Sequence, residues 1–106
     1  MPSKWDTNQA RVVTNVRMEE QSLDCNKDPT DSLNTISSDL SWLHTYSNYK
    51  CTQDLDHMTS VVQKTVSEFQ ANVATKKSNA VYCQLKKALI IQQTDIIGHT
   101  FEGSLL

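Results

Sequence analysis

The most regular hydrophobic pattern in the chain lies between residues 55 and 73. Apolar side chains recur there every three or four residues, at Leu55, Met58, Val62, Val66, Phe69 and Val73. At about 100° per residue these positions span only about 80° of a helical wheel. Polar and charged residues occupy the other side, as on a solvated helix face. The pattern therefore predicts an amphipathic helix over residues 54–75.

A second helix is predicted over residues 29–49. Asp28 offers an N-cap acceptor, Pro29 suits the first helical position, and Asp31 faces the positive end of the helix dipole. One stripe along this helix consists of Leu33, Ile36, Leu40 and Leu43. The aromatic residues Trp42, Tyr46 and Tyr49 follow at 4-3 spacing on roughly the opposite side. The helix is therefore expected to be apolar on two faces.

The predicted helix over residues 79–97 also carries two apolar stripes. One consists of Val81, Leu85, Ala88 and Leu89, extended by Tyr82 and Ile96, and the other of Cys83, Ile90 and Ile97. Asn79 is expected to cap its start, and Gly98 is expected to end it as a left-handed C-cap. Beyond Gly98, a tail over residues 99–106 contains Phe101 and is expected to dock back or to bind a neighbour.

The segment before Asp28 has a mixed pattern. One helical side would hold Val12, Val13, Val16 and Leu23, but Glu19 interrupts that side and β-branched residues lower helix propensity. Val12, Thr14, Val16 and Met18 also alternate as a strand does. A helix near residues 7–23, a flexible or partner-ordered arm, and a strand all remain open.

Together these patterns predict an all-α, antiparallel three-helix bundle with coiled-coil-like packing, to which a weak N-terminal helix could add a fourth member. The chain divides into an arm over residues 1–27, the bundle over 28–98 and the tail over 99–106. Short connections favour antiparallel neighbours. The expected core includes Leu40, Leu43, Val62, Val66, Phe69 and Leu85.

Composition limits the function classes. The 106 residues are 38% hydrophobic and 21% charged, which suits one soluble domain. A net charge of −2 gives no field that would attract nucleic acid or an anionic membrane. The longest apolar run, residues 88–91, is too short to span a bilayer. Three cysteines without a CxxC pair favour a reduced setting in the cytoplasm or nucleus.

Reactive and metal-binding patterns are weak. Asp54 and His57 at i,i+3 could join Cys51, but zinc sites need three or four convergent ligands. Cys83 is typical of a buried structural thiol. Residues Lys76, Lys77, Lys86 and Lys87 do not form one continuous basic stripe and are expected to serve helix ends and solubility. We therefore expect no catalytic residue, metal, cofactor, nucleic acid, membrane or small-molecule substrate.

A bundle covers one apolar stripe per helix, but the predicted helices over residues 29–49 and 79–97 each carry two. The extra stripes indicate a non-enzymatic interaction or assembly subunit of an intracellular complex. A protein partner or a homo-oligomer would cover them. The predicted interface consists of Trp42, Tyr46, Tyr49, Cys83, Ile90, Ile97 and Phe101. The alternative is a small secreted helical factor of the cytokine type, with one disulfide among Cys25, Cys51 and Cys83. An enzyme is a further rival, which would require a pocket lined by convergent titratable groups.

Overall fold

The computed structural model describes residues 4–101, which form four helices and, within that range, no strand. They are α1 (Thr7–Ser22), α2 (Thr30–Tyr49), α3 (Gln53–Ala74) and α4 (Ala80–Phe101). The all-α prediction is confirmed. The prediction of three helices with a possible fourth near the N-terminus is close, and the structure has four, because α1 contributes buried valines to the core as a full member. Residues 102–106 of the predicted tail lie outside the described residues.

The four helices form a ring in chain order. Each packs against its neighbours in sequence, and α1 also packs against α4. Polar contacts show antiparallel pairing, since α2 meets α3 through Asn34–Gln70 at one end and His44–Asp56 at the other. The connections at residues 23–29, 50–52 and 75–79 are too short for any other path. As a result, α2 and α4 lie at opposite corners of the bundle.

Local capping signals place the helix ends. The carboxylate of Asp28 accepts hydrogen bonds from the hydroxyl of Thr30 at 2.5 Å and from its backbone N–H at 3.0 Å, and these two bonds lower the pKa of Asp28 below its ordinary value. Asn79 accepts one from the N–H of Tyr82 at 2.8 Å. The predicted cap at Asn79 is therefore confirmed. The predicted cap at Asp28 is wrong, because α2 begins at Thr30, its N-cap is Pro29, and this N-cap makes no side-chain capping hydrogen bond. The predicted end at Gly98 is wrong, because α4 continues to Phe101.

The core is a single cluster along the bundle axis. Its fully buried aliphatic and aromatic side chains include Val16, Leu33, Ile36, Leu40, Leu43, Leu55, Val62, Val66, Phe69, Ile90, Ile97 and Phe101. Most of the predicted core is confirmed. The prediction is wrong for Leu85, whose side chain is 67% exposed.

The exposure of Leu85 follows from the rotation of α4 about its axis. The side of α4 that faces the core carries Cys83, Ile90, Ile97 and Phe101. Phe101 stacks on Trp5, which precedes α1, with ring centroids 5.4 Å apart. This contact explains why the helix passes Gly98, since stopping there would leave both rings in water.

A disulfide joins Cys25, in the α1–α2 connection, to Cys83 of α4, with Cα atoms 5.7 Å apart. The expectation that Cys83 is a reduced thiol is therefore wrong. Cys51 is the free cysteine, and it is exposed. The cross-link spans 58 residues of sequence and restricts the unfolded chain, which stabilises the fold by about 4 kcal/mol in the chain-entropy description.

Buried polar residues fasten α1 to the rest of the bundle. The side chain of Gln9 accepts the N–H of Asp6 in a capping box. Its amide nitrogen also donates to the hydroxyls of Ser47 at 3.2 Å and Thr52 at 2.8 Å. Gln9 is thus a buried amide whose donors and acceptor are used, and it connects the start of α1 to the α2–α3 turn.

Glu20 of α1 is a carboxylic acid that is fully buried. Burial raises its pKa to about 8, and the charge of Asp95 adds to this effect, while the Thr94 hydrogen bond and the Arg17 charge oppose it. Oγ1 of Thr94 lies 2.8 Å from both Oε2 of Glu20 and the carbonyl O of Ile90. The Thr94 hydroxyl has one proton and can direct it to the Glu20 carboxyl oxygen or to the Ile90 carbonyl.

Replacing Phe69 tests the core. Phe69 is fully buried and meets Tyr82 edge to face, with centroids 5.8 Å apart. Phe69→Ala should lower the free energy of unfolding by about 3–5 kcal/mol in urea titrations, because it removes apolar contacts and leaves a cavity. Met18→Ala, at an exposed position of α1, is the control and should stay within about 0.5 kcal/mol of wild type. Equal effects would contradict the assigned core.

Glu20 should make stability depend on pH. Its pKa is about 8 when folded and near the ordinary 4.5 when unfolded, so the folded chain holds one more proton between those values. The free energy of unfolding should therefore fall as pH rises through this window, by about 3–5 kcal/mol in total. Glu20→Gln should remove most of that fall, measured by urea titration at several pH values, whereas Glu19→Gln should retain it. An unchanged slope in Glu20→Gln would refute the assignment.

Candidate protein-interaction surfaces

The first candidate surface, the aromatic row, consists of Trp42, Tyr46 and Tyr49 on the outer face of α2. Trp42 is 40% exposed, Tyr49 is 79% exposed, and Tyr46 is half-buried between them. The 4-3 spacing placed these three residues opposite the leucine stripe, and the structure brings them together on the surface. Trp42 and Tyr49 therefore lie outside the core, and their role in an interface stays a prediction.

The aromatic row is held in a fixed arrangement. The rings of Trp42 and Tyr46 stack with centroids 4.6 Å apart and an interplanar angle of 13°. The Tyr46 hydroxyl donates to Oδ2 of Asp6 at 2.5 Å and accepts from the amide of Asn8 at 3.3 Å. Tyr46 is thus anchored at both its ring and its hydroxyl.

Asp6 is suited to hold that hydroxyl. Burial alone would raise its pKa, but hydrogen bonds from Tyr46 and the Gln9 N–H, together with the charge of Lys50, lower the pKa below its ordinary value. Asp6 is therefore ionised at neutral pH, and its bond from Tyr46 is charge-assisted.

A cation extends the aromatic row toward the end of α2. Nζ of Lys50 lies 5.7 Å from the ring centroid of Tyr46 and 5.9 Å from that of Tyr49. The helix then ends in a Schellman motif, in which the N–H of Thr52 donates to the carbonyl of Ser47 at 2.8 Å. Cys51 takes the left-handed position of this motif, with φ of 57°.

The second candidate surface, the α4 outer face, points away from the core at the corner opposite α2. It consists of Val81, Leu85, Ala88, Leu89, Gln92 and Ile96, all exposed and within about 100° of a helical wheel. None of the six is charged. Val81 is 69% exposed and Ile96 is 51% exposed, so large apolar side chains stand in water along most of α4.

Ion pairs border the α4 outer face on both sides. Lys86 contacts Glu68 of α3 at 3.4 Å, and Arg17 of α1 contacts Asp95 at 2.9 Å. On the α3 side a shallow apolar depression, lined by Met58, Val61, Gln93 and Ile96, widens the face. The result is an uncharged strip whose neighbouring charges are already paired.

Four residues of the predicted interface are buried and therefore form no surface. These are Cys83, Ile90, Ile97 and Phe101. The prediction chose the wrong one of two stripes on α4, because both are apolar and periodicity alone cannot rank them. The stripe assigned to the core, with Leu85, is the exposed one.

The candidate reactive groups do not converge. Within residues 4–101, no three His, Cys, Asp or Glu side chains come together as a metal site, and His44 pairs with Asp56 instead. Two of the four clustered lysines serve the fold, since Lys86 pairs with Glu68 and Lys87 donates to the carbonyl of Leu23 at 2.7 Å. Over the same range, none of the helices has the length and apolar character needed to cross a bilayer.

Comparisons of the chain with protein-family models, curated proteins and solved structures found no match. The functional argument therefore rests on the two surfaces.

Proposed function

We propose that this protein is a non-enzymatic interaction factor that binds a partner protein through the aromatic row. The observation that carries the proposal is an exposed Trp and Tyr surface held in one arrangement by its own contacts. Trp and Tyr dominate interface hot spots because each offers a large apolar area together with a polar tip.

Fixing the aromatic row in advance favours binding. An interface that must immobilise a side chain costs about 0.5–1.5 kcal/mol for each one. The stacking of Trp42 on Tyr46 and the hydroxyl bond to Asp6 have already ordered two of the three rings. The partner that fits is a protein surface with an apolar pocket for Trp42 and a hydrogen-bond partner for the Tyr49 hydroxyl.

The carboxyl groups with shifted pKa values support a non-enzymatic role. Glu20 is buried inside the bundle, Asp6 is the N-cap of α1, and Asp28 is held by its hydrogen bonds with Thr30. The pKa of Asp39 is raised by partial burial and by the nearby charge of Glu19, at the seam of α1 and α2. These carboxylates serve the fold at separate places instead of converging on a substrate.

A second candidate is the small secreted helical factor. The Cys25–Cys83 disulfide supports it, because such bonds form and persist in oxidising compartments. The odd cysteine count that favoured the cytoplasm or nucleus is explained here by one disulfide plus the exposed Cys51. The two candidates share the aromatic row and differ in where the protein acts.

Photo-cross-linking tests the binding surface. A photoreactive benzoylphenylalanine in place of Tyr49, in the native cells or their medium, should give one adduct of defined mass. Excess wild-type chain should compete with the adduct, and excess Trp42→Ala chain should compete at least tenfold less well, since a hot-spot truncation costs about 2 kcal/mol or more.

Two controls accompany this experiment. The same photoreactive residue at position 18, on the exposed part of α1, should not give the adduct, and Thr45→Ala should compete as well as wild type. Equal competition by Trp42→Ala and wild type would remove the aromatic row from the proposal.

Thiol counting tests the compartment. The chain purified from its native source without reductant should show one reactive thiol in denaturant, at Cys51, and three after reduction. Cys51→Ser should show none before reduction. Three thiols in denaturant without reductant would instead support the cytoplasm or nucleus.

A further inference from the structure

The α4 outer face takes no part in the proposed binding through the aromatic row. It lies at the opposite corner of the bundle and exposes Val81, Leu85, Leu89 and Ile96 to water. Single exposed apolar residues need no explanation, but a continuous strip along one helix marks an interaction site. From Val81 to Ile96 the strip is about 22 Å long.

The charges around this face limit its occupant. The face itself has none, and its borders are the internal pairs Lys86–Glu68 and Arg17–Asp95. A charged partner would find no complementary charge and would leave its own charge desolvated. An uncharged apolar strip of similar length fits, and the chain itself supplies one.

The order of residues along α4 suits a two-fold axis. An antiparallel second copy centred between residues 88 and 89 brings Val81 opposite Ile96, Leu85 opposite Gln92, and Ala88 opposite Leu89. The large Leu89 then meets the small Ala88 twice at the centre, as knobs enter holes in packed helices. Within α4, no charged residue faces a like charge in this register.

We propose that a second copy of the chain occupies the α4 outer face, in an isologous antiparallel dimer. Val61 of α3, exposed beside Ile96, widens the contact at both ends. One helix face is smaller than the roughly 800 Å² per partner of a standard interface, so the dissociation constant should lie near 1–100 µM.

Such a dimer gives the molecule two binding sites. With α4 at the centre, the α2 helices lie at the outer corners, and the two aromatic rows point away from each other. A partner that presents two copies of its own site would then bind with avidity, without any new contact.

Sedimentation equilibrium of the Cys51→Ser chain from about 1 µM to about 1 mM tests the proposal, because this background excludes an intermolecular disulfide. The chain should dimerise, and Leu85→Glu and Gln92→Lys should each weaken the dimer at least tenfold. Both positions are exposed, so helix content should be unchanged by circular dichroism. Met18→Glu, on exposed α1, is the matched control and should dimerise as its parent does.

Mixing the two weakened variants tests the register. In the proposed dimer, Glu at position 85 of one chain faces Lys at position 92 of the other, while the second contact stays native. An equimolar mixture should therefore form a heterodimer that is more stable than the homodimer of either variant.

A chain that stays monomeric throughout, that binds neutral phosphatidylcholine vesicles as a monomer, or whose dimer resists Leu85→Glu would overturn the proposal. None of these results bears on Tyr49 cross-linking.

Discussion

The rotation of α4 about its own axis decides what this molecule shows to its surroundings. Either apolar side of the helix could have faced the core. Contacts at three heights select one side, through the Cys25–Cys83 disulfide, the Glu20–Thr94 hydrogen bond and the Trp5–Phe101 stack. Rotating α4 about its axis in either direction would break all three contacts together. The other apolar side of α4, which contains Leu85, is therefore exposed.

Two polar residues of α1 make specific hydrogen bonds to other parts of the bundle inside a largely apolar core. Gln9 reaches the α2–α3 turn, and Glu20 reaches Thr94 in the middle of α4. Apolar contacts tolerate sliding and rotation, whereas a buried hydrogen bond is satisfied in only one register. The valines of α1 bury most of its apolar surface against the core. Gln9 and Glu20 fix the position of α1 along the bundle axis.

The sequence is informative where one side of a helix is clearly different from the other. The stripe of α3 and the aromatic row opposite Leu40 could be predicted because their spacing separates two faces. The α1 helix was ambiguous because Glu19 interrupts its apolar side and its β-branched residues lower helix propensity. Polar Gln9 and Glu20 occupy core positions that a search for apolar residues does not mark. The orientation of α4 and the choice of Cys25 as the partner of Cys83 depend on tertiary contacts, which periodicity does not contain.

The disulfide also divides the chain into covalent parts. The disulfide closes a covalent loop from Cys25 to Cys83, which contains α2, α3, the α2–α3 turn and the α3–α4 turn. Outside this covalent loop lie α1 and most of α4, each attached to it at one end only. A protease cut in either turn leaves one linked molecule. A cut before Cys25 frees α1, which carries Gln9 and Glu20. The aromatic row and the α4 strip would remain joined in both cases, so the molecule can be nicked within the loop without separating its two surfaces.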